Sequence, residues 1–393
     1  MGIDFLIVGA GIGGAVLANL LSRAGKEVLV LERESAAVVR VRPEVLWPAT
    51  VHFLESILPV KLLHERALLP LQQLDVHYQG SQFTSFARET LVRAGVQPWS
   101  SDGDQTRALL LQQAACSVER GVEVLGLLHE NGRVVGVRAR PTGGGAEREI
   151  LARWTVGDDG GHSAVRQGCG ISMATHAVPL DLLSFGFTWP SFLEPATAQI
   201  WINRKRGRSG PFLVAAIPRP AGIGAGLLPV GPELLDDARR FEHFLKEFCD
   251  SEQQVAEIIG ERRFPRDLVR VRLAWGHAER YGVDGAVLIG DAAHTVTPAG
   301  GQGANAAIAD ARALADVALA DEAQLVDAYE RRRRPANERS ITPSRIVSRF
   351  VALPRFMLSP WIPTALRCVG WFPRLAARGL RFVSTAFLET AIP

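Results

Sequence analysis

Glycines at 9, 11 and 14 form a GxGxxG turn, Gly9-Ala-Gly-Ile-Gly-Gly14. Each has a separate job. Gly9 permits a tight turn, Gly11 lets the backbone approach a pyrophosphate, and Gly14 lets the next helix pack on the preceding strand. A helix opening here, through Ile12, Gly13 and Gly14, points unpaired N–H groups and a partial positive charge at phosphate oxygens. Glu32 follows Gly14 by 32 − 14 = 18 residues. A carboxylate there accepts hydrogen bonds from an adenosine ribose and repels a 2′-phosphate. The chemistry is the binding of an adenine dinucleotide, FAD or NAD rather than NADP.

Two later segments share this character. GDDGGHSAVR spans 157–166, and GDAAHTVTPAGGQGAN spans 290–305. In the second, Gly300, Gly301 and Gly303 leave the backbone bare of side chains and open to close approach. A helix opening near Gln302 would turn its positive end toward whatever the loop approaches.

The elements that must hold these segments are legible. Ile3 to Val8 is an apolar, β-branched run that reads as a strand buried on both faces. A helix reaches Ala24 and Gly25 caps it. Val28 to Leu31 is a second buried strand, which completes a βαβ unit with a right-handed crossover. Residues 40–100 show no clear period. A helix is expected over 106–120. Val122–Leu128 and Arg133–Ala139 form a hairpin around Asn131-Gly132. Trp154–Val156 and Ala286–Ile289 are short strands running into the later glycine segments. Between them, 172–275 holds strand-like runs at Leu182–Trp189, Phe212–Ile217 and Gly224–Val230, with one helix near 234–250. A long helix follows the last glycine loop. Another covers 322–334 and is expected to stop before Pro335.

The three motifs, in this order, resemble those of the FAD-dependent aromatic hydroxylases, the flavoprotein monooxygenases typified by para-hydroxybenzoate hydroxylase. The resemblance spans residues 1 to about 340. It implies an α/β fold: a Rossmann-type FAD-binding domain with an inserted, mostly antiparallel β substrate domain and C-terminal helices. The expected division is 1–70 with 101–171 and 276–340 for FAD, 71–100 with 172–275 for substrate, and 341–393 as a C-terminal helical segment.

By resemblance, Gly9, Gly11, Ile12, Gly13, Gly14, Glu32 and Arg33 hold the adenosine diphosphate part. Arg42 and Arg107 reach the FAD, with Arg40 a further candidate. Asp159 and Gly160 serve both FAD and the nicotinamide donor, and Ser163 and Arg166 complete their motif. Asp291 binds the ribityl and pyrophosphate region. Pro298, Gly301, Gln302, Gly303, Ala304 and Asn305 line the isoalloxazine ring. Plain structural roles compete: Arg107 as a surface arginine, Asp159 as a turn cap, Asp291 as an N-cap, His294 as a packed histidine. Asp158 departs from the family, which carries a small residue there, and paired carboxylates weaken docking of an anionic nicotinamide.

The implied activity is monooxygenation. NADPH or NADH reduces the flavin, O2 forms a hydroperoxide on its ring, and one oxygen atom passes to an aromatic substrate. No catalytic acid or base is singled out. An epoxidase or other oxidoreductase of the same fold is the near alternative, and a non-catalytic FAD-binding ligand sensor the distant one. The tryptophan-rich halogenase signature is absent, since FTWPS (187–191) does not match it. Phe185, Phe187, Trp189, Trp201, Phe212 and Leu213 are candidate substrate lining or core. Arg204, Lys205, Arg206 and Arg208 read as a solvated turn rather than a carboxylate clamp. The expected substrate is therefore an apolar aromatic or polycyclic small molecule of secondary metabolism.

Composition narrows the rest. The chain has 393 residues, 47% hydrophobic, ample for two domains. The net charge, 44 − 41 = +3, argues against a nucleic-acid partner. Four scattered cysteines form no metal or redox spacing. The opening MGIDFLIVGAGIGG lacks a basic leader, and Leu6 stands where a myristoylation signal wants Ser or Thr. The expected location is cytoplasmic. From Arg339 to Leu388 there are eight arginines, no acid and no lysine, with interleaved Phe and Trp. Its prolines are expected to cut it into short helices. They would pack on the FAD domain, meet a partner, or rest on an anionic membrane through 341–388.

Overall fold

The computed structural model describes residues 2–35, 44–78, 80–93, 95–203, 212–250, 252–260, 268–298 and 300–352. Arg40, Arg42, the 204–208 basic turn and the stretch from 353 onward lie outside the described residues.

Strand Ile3–Val8 leads through the glycine turn into helix Ile12–Arg23 and strand Val28–Glu32. Phe5, Leu6 and Ile7 are wholly buried, as expected for a central parallel strand covered on both faces. The sheet order is Gly282–Val283, Ala286–Leu288, Arg148–Gly157, Ile3–Val8, Val28–Glu32, Ser117–Arg120. All neighbours are parallel except the Gly282–Val283 edge. The hairpin Val122–Glu130/Arg133–Pro141 pairs antiparallel to Arg148–Gly157. Its turn uses Asn131 (φ 50°) and Gly132 (φ 82°), the positive-φ pair that a two-residue hairpin requires.

A second sheet runs His294–Thr295, Val269–Ala278, Met173–Thr188, Ile223–Val230, Phe212–Arg219, Thr197–Asn203, Gln73–Tyr78, Ser81–Ala87. It is antiparallel except between Thr197–Asn203 and Gln73–Tyr78. Its first strand belongs to the late glycine segment, so the two sheets meet at His294. A small sheet of Glu44–Leu46, Trp99–Ser101 and Leu68–Pro70 sits beside them.

Several expectations need correction. The helix expected over 106–120 is Gly103–Gln113, started by Asp102, whose side chain accepts the Asp104 and Gln105 N–H groups. Ser117–Arg120 beyond it is the sheet's edge strand, because the open edge of Val28–Glu32 takes it as a partner. The patternless 40–100 stretch holds helices Pro48–Ile57 and Val60–Arg66. The short strand at Trp154 extends over Arg148–Gly157. The single helix near 234–250 is two, Pro232–Leu235 and Ala238–Cys249.

The largest departure is the last helix. Leu325–Ala352 runs straight through Pro335 and Pro343. An internal proline costs about 3 kcal/mol, but Pro335 is exposed, and so is Arg331, whose carbonyl the proline leaves unpaired. The opposite face is anchored by Arg333, Asn337, Ser340 and Ser344, all buried. That polar anchoring outweighs the proline penalty. Among the described residues, no helix is long and apolar enough to cross a membrane.

Candidate functional site

The three glycine-rich segments converge at the C-terminal ends of strands Ile3–Val8, Arg148–Gly157 and Ala286–Leu288. Neighbouring parallel strands in register force this meeting. It is where open α/β sheets place their ligands.

The first turn fits a dinucleotide. Gly9 has φ 100°, and a Cβ there would lie 2.4 Å from the Asp158 carbonyl oxygen. A Cβ on Gly14 would lie 2.4 Å from the Gly9 carbonyl oxygen. Strand and helix thus touch backbone to backbone, and helix Ile12–Arg23 presents its N-terminus to the cleft. Ile12 is half-buried and Gly13 buried. Glu32 Oε2 accepts the Ala10 N–H at 2.9 Å and Oε1 accepts the Glu34 N–H at 2.9 Å. These bonds hold the carboxylate at the strand end with lone pairs left for ribose hydroxyls. Arg33 is exposed, 4.0 Å from Glu34. Arg107, on helix Gly103–Gln113, pairs with Asp104 one turn earlier.

The middle motif is largely turned inward. Asp159 Oδ2 accepts the Val165 N–H at 3.1 Å, at the start of the short helix Ala164–Gly168. Burial raises its pKa, against hydrogen bonds from Ser163 and the turn backbone. Ser163 caps that helix, and Gly160 has φ 82° with open space at its Cβ position. Arg166 donates to the Ala292 carbonyl at 3.0 Å and to the Gly161 carbonyl at 2.8 Å. It ties the middle motif to the late one.

In the late motif, Gly290 has φ 56° and Asp291 stands exposed in the following turn. Beneath them lies a buried polar knot. Asp310 accepts from His294 Nε2 (2.5 Å), the Gly290 N–H (3.0 Å), Arg333 Nε (2.7 Å) and Asn337 Nδ2 (2.9 Å). Burial alone would raise the Asp310 pKa, but His294 and Arg333 hold it below the usual carboxylate range. His294 is 1% exposed, which suits the packed role rather than a catalytic one.

The loop from Pro298 closes by a Gly301 N–H to Pro298 carbonyl bond of 2.9 Å, with Gly300 and Gly301 at φ 77° and 64°. Gly301 starts helix Gln302–Ala320, so that helix also offers its N-terminus to the cleft. Gln302 is buried, and Ala304 packs on the core. Gly303 would meet only Val296 Cγ2, at 3.8 Å, if it carried a Cβ.

Asn305 turns to the protein instead. Its Nδ2 donates to Val45 O (2.8 Å) and Gly301 O (2.6 Å), and its Oδ1 accepts the Trp47 N–H (3.1 Å). Trp47 Nε1 donates to Gly300 O at 3.1 Å. Sequence reasoning missed Trp47. It stands in the stretch without periodicity, and only its tryptophan-before-proline context marked it.

Strand parity separates lining from core. Phe185, Phe187 and Trp201 pack with Phe241, Phe244 and Val255 beneath two helices, so they are core. Trp189 packs against the same cluster. Leu213, in register with Ile202, faces the other way. On that side Trp47 packs with Val76 and Phe86, with Ile202 against them. Trp47 touches both this face and the Gly300 carbonyl, so this face is turned to the glycine loop. Between Trp47 and Trp275 it presents Gly186, Ala215, Ile217, Ala225 and Leu227, small or apolar positions.

Fold and site together define a dinucleotide-binding protein of the para-hydroxybenzoate hydroxylase type. The chain belongs to the FAD-binding domain family, whose pattern it matches over residues 3–344. It is 28% identical over 350 residues to 6-methylpretetramide 4-monooxygenase of Streptomyces rimosus, covering 86% of this chain and 81% of that protein. It is 26% identical to an aklavinone 12-hydroxylase of Streptomyces purpurascens, over 99% of this chain and 75% of that one. Among solved structures it resembles Klebsiella pneumoniae HpxO complexed with FAD and uric acid. The TM-score is 0.79 at 21% identity, over 98% of this chain and 97% of that one. A ternary complex of aklavinone-11 hydroxylase with FAD and aklavinone gives 0.71 at 24% identity, over 88% and 68%.

Proposed function

We propose that this chain is an FAD-dependent monooxygenase that takes electrons from NADPH or NADH and hydroxylates an apolar aromatic or polycyclic small molecule with O2. The observation that carries this is the match to the FAD-binding pattern over residues 3–344, joined to helix N-termini at Gly11 and Gly301 and to an apolar sheet face that Trp47 links to the Gly300 carbonyl. Bound there, FAD supplies the redox chemistry that activates O2 for transfer of one oxygen atom to an electron-rich carbon.

The protein holds and dries the site. Gly9, Gly11, Gly14 and Glu32 receive the adenosine diphosphate portion. Gly300, Gly301 and Gly303 would hold the flavin ring with bare backbone, and the helix end at Gly301 would stabilise negative charge on it. Trp47 and Asn305 fix that loop. Ala215, Ile217, Ala225 and Leu227 exclude water and seat the substrate's rings. We read residues 71–100 with 172–275 as the substrate domain. Secondary metabolism is the expected setting, in keeping with the 6-methylpretetramide 4-monooxygenase and aklavinone 12-hydroxylase among the relatives.

The test is a screen of aromatic and polycyclic phenols for stimulated NADPH or NADH oxidation, with product mass followed under labelled O2. A product one labelled oxygen heavier supports the reading. Stimulated oxidation that yields only hydrogen peroxide with every ring system, or none, would refute it.

A further inference from the structure

Asp158 stands at the first glycine turn. Its N–H donates to the Val8 carbonyl at 2.8 Å, which sets the residue beside the glycine turn. Its Oδ2 accepts the Gly14 N–H at 2.7 Å. A Cβ placed on Gly11 would fall 2.4 Å from that oxygen. The other oxygen, Oδ1, lies 2.9 Å from the Cβ position of Gly13 and 3.1 Å from that of Gly290. The carboxyl therefore fills the seam between the first and last glycine turns. It occupies one of the helix N-terminal donors that would otherwise serve phosphate.

Among the described residues, no cation is set against an ionised group there. The titratable groups facing it among the described residues are Asp159 on its own loop, Asp291 in the late turn and Asp310 on helix Gln302–Ala320, all acids, and the buried Tyr329 phenol on helix Leu325–Ala352. Glu32 lies across the turn, on Ala10. Arg333 and His294 are spent on Asp310, and Arg166 on two carbonyls. Burial, then these acids, push its pKa well above the usual carboxylate value, against the Gly14 hydrogen bond. A neutral carboxyl suits the place, because it accepts with one oxygen and donates with the other.

We propose that Asp158 is a proton-dependent FAD-binding group: as the neutral acid it accepts the Gly14 N–H and offers its O–H to the pyrophosphate, and as the carboxylate it repels the cofactor. This rests on the FAD reading of the site and not on the oxygenation chemistry. Proton loss from Asp158 thus loosens the cofactor, which a small residue at this position would not do.

The experiment is titration of the full-length apoprotein with FAD between pH 6 and 9, for wild type and Asp158→Asn, which keeps a donor and an acceptor but cannot ionise. The wild-type dissociation constant should rise with pH, approaching tenfold per unit above the Asp158 pKa. The Asp158→Asn constant should stay within twofold. An infrared difference spectrum of the two holoproteins at pH 6 should show a protonated-carboxyl C=O band in wild type alone. Superimposable pH curves overturn the proposal, as does absence of that band. Failure of both proteins to bind FAD at any pH would instead sink the cofactor assignment, and this proposal with it.

Discussion

The Arg333 guanidinium meets the Asp310 carboxylate at 2.7 Å with both side chains wholly buried. Because Asp310 also takes the Gly290 N–H and His294, this pair clamps the late glycine turn between two helices. Removing one partner strands a charge in the interior. Arg333→Met should therefore cost about 3–5 kcal/mol of stability, measured by urea unfolding of the FAD-loaded protein. A loss below 1 kcal/mol would show the clamp to be dispensable.

His277 sits against the same knot, close to Tyr281 and His294. Burial first, and then the neighbouring His294 and Arg334, lower its pKa from 6.5 to about 4. The folded state thus refuses a proton that the unfolded chain accepts. Stability conferred by the neutral ring is fully present above pH 6.5 and is lost as pH falls toward about 4. The slope is at most about 1.4 kcal/mol per pH unit. His277→Gln should flatten this part of the curve in thermal melts from pH 7 to 4.5. An unchanged slope would assign the acid sensitivity elsewhere.

The βαβ unit, the Asn131-Gly132 hairpin and all three glycine segments were legible because their signals are local: an apolar run, a positive-φ dipeptide, a glycine spacing. The cleft-facing side of the second sheet was not. Its strands are apolar on both faces, Phe185 and Phe187 on one and Leu182 on the other, so alternation carries no direction. The helix through Pro335 was hidden for a different reason. What offsets the proline is the Arg333–Asp310 contact, between residues 23 positions apart. Asp158 was visible as a departure from the family pattern. Its bond to Gly14, however, spans 144 residues and follows from strand pairing.

Asn305 brackets the loop that faces the ring. Asn305→Ala leaves the Val45 and Gly301 carbonyls and the Trp47 N–H without their partner. Buried polar groups so abandoned cost about 1–3 kcal/mol each. Flavin content of the purified variant, read from its visible absorbance, should fall well below that of wild type. Full loading with unchanged flavin fluorescence would remove Asn305 from the positioning role.

Gly14 and Gly303 separate fold from cofactor. Gly14→Ala puts a methyl 2.4 Å from the Gly9 carbonyl oxygen, so strand and helix must part. That variant should lose FAD and stability together. Gly303→Ala meets nothing of the protein nearer than Val296 Cγ2 at 3.8 Å, and alanine favours a helix by about 1 kcal/mol over glycine. Its apoprotein should melt at or above the wild-type temperature. If the backbone at 303 lies against the ring, the same methyl should weaken FAD binding at least tenfold in a fluorescence titration. Equal affinity in Gly303→Ala and wild type would place the ring away from this loop and remove the helix end at Gly301 from any part in steadying its charge.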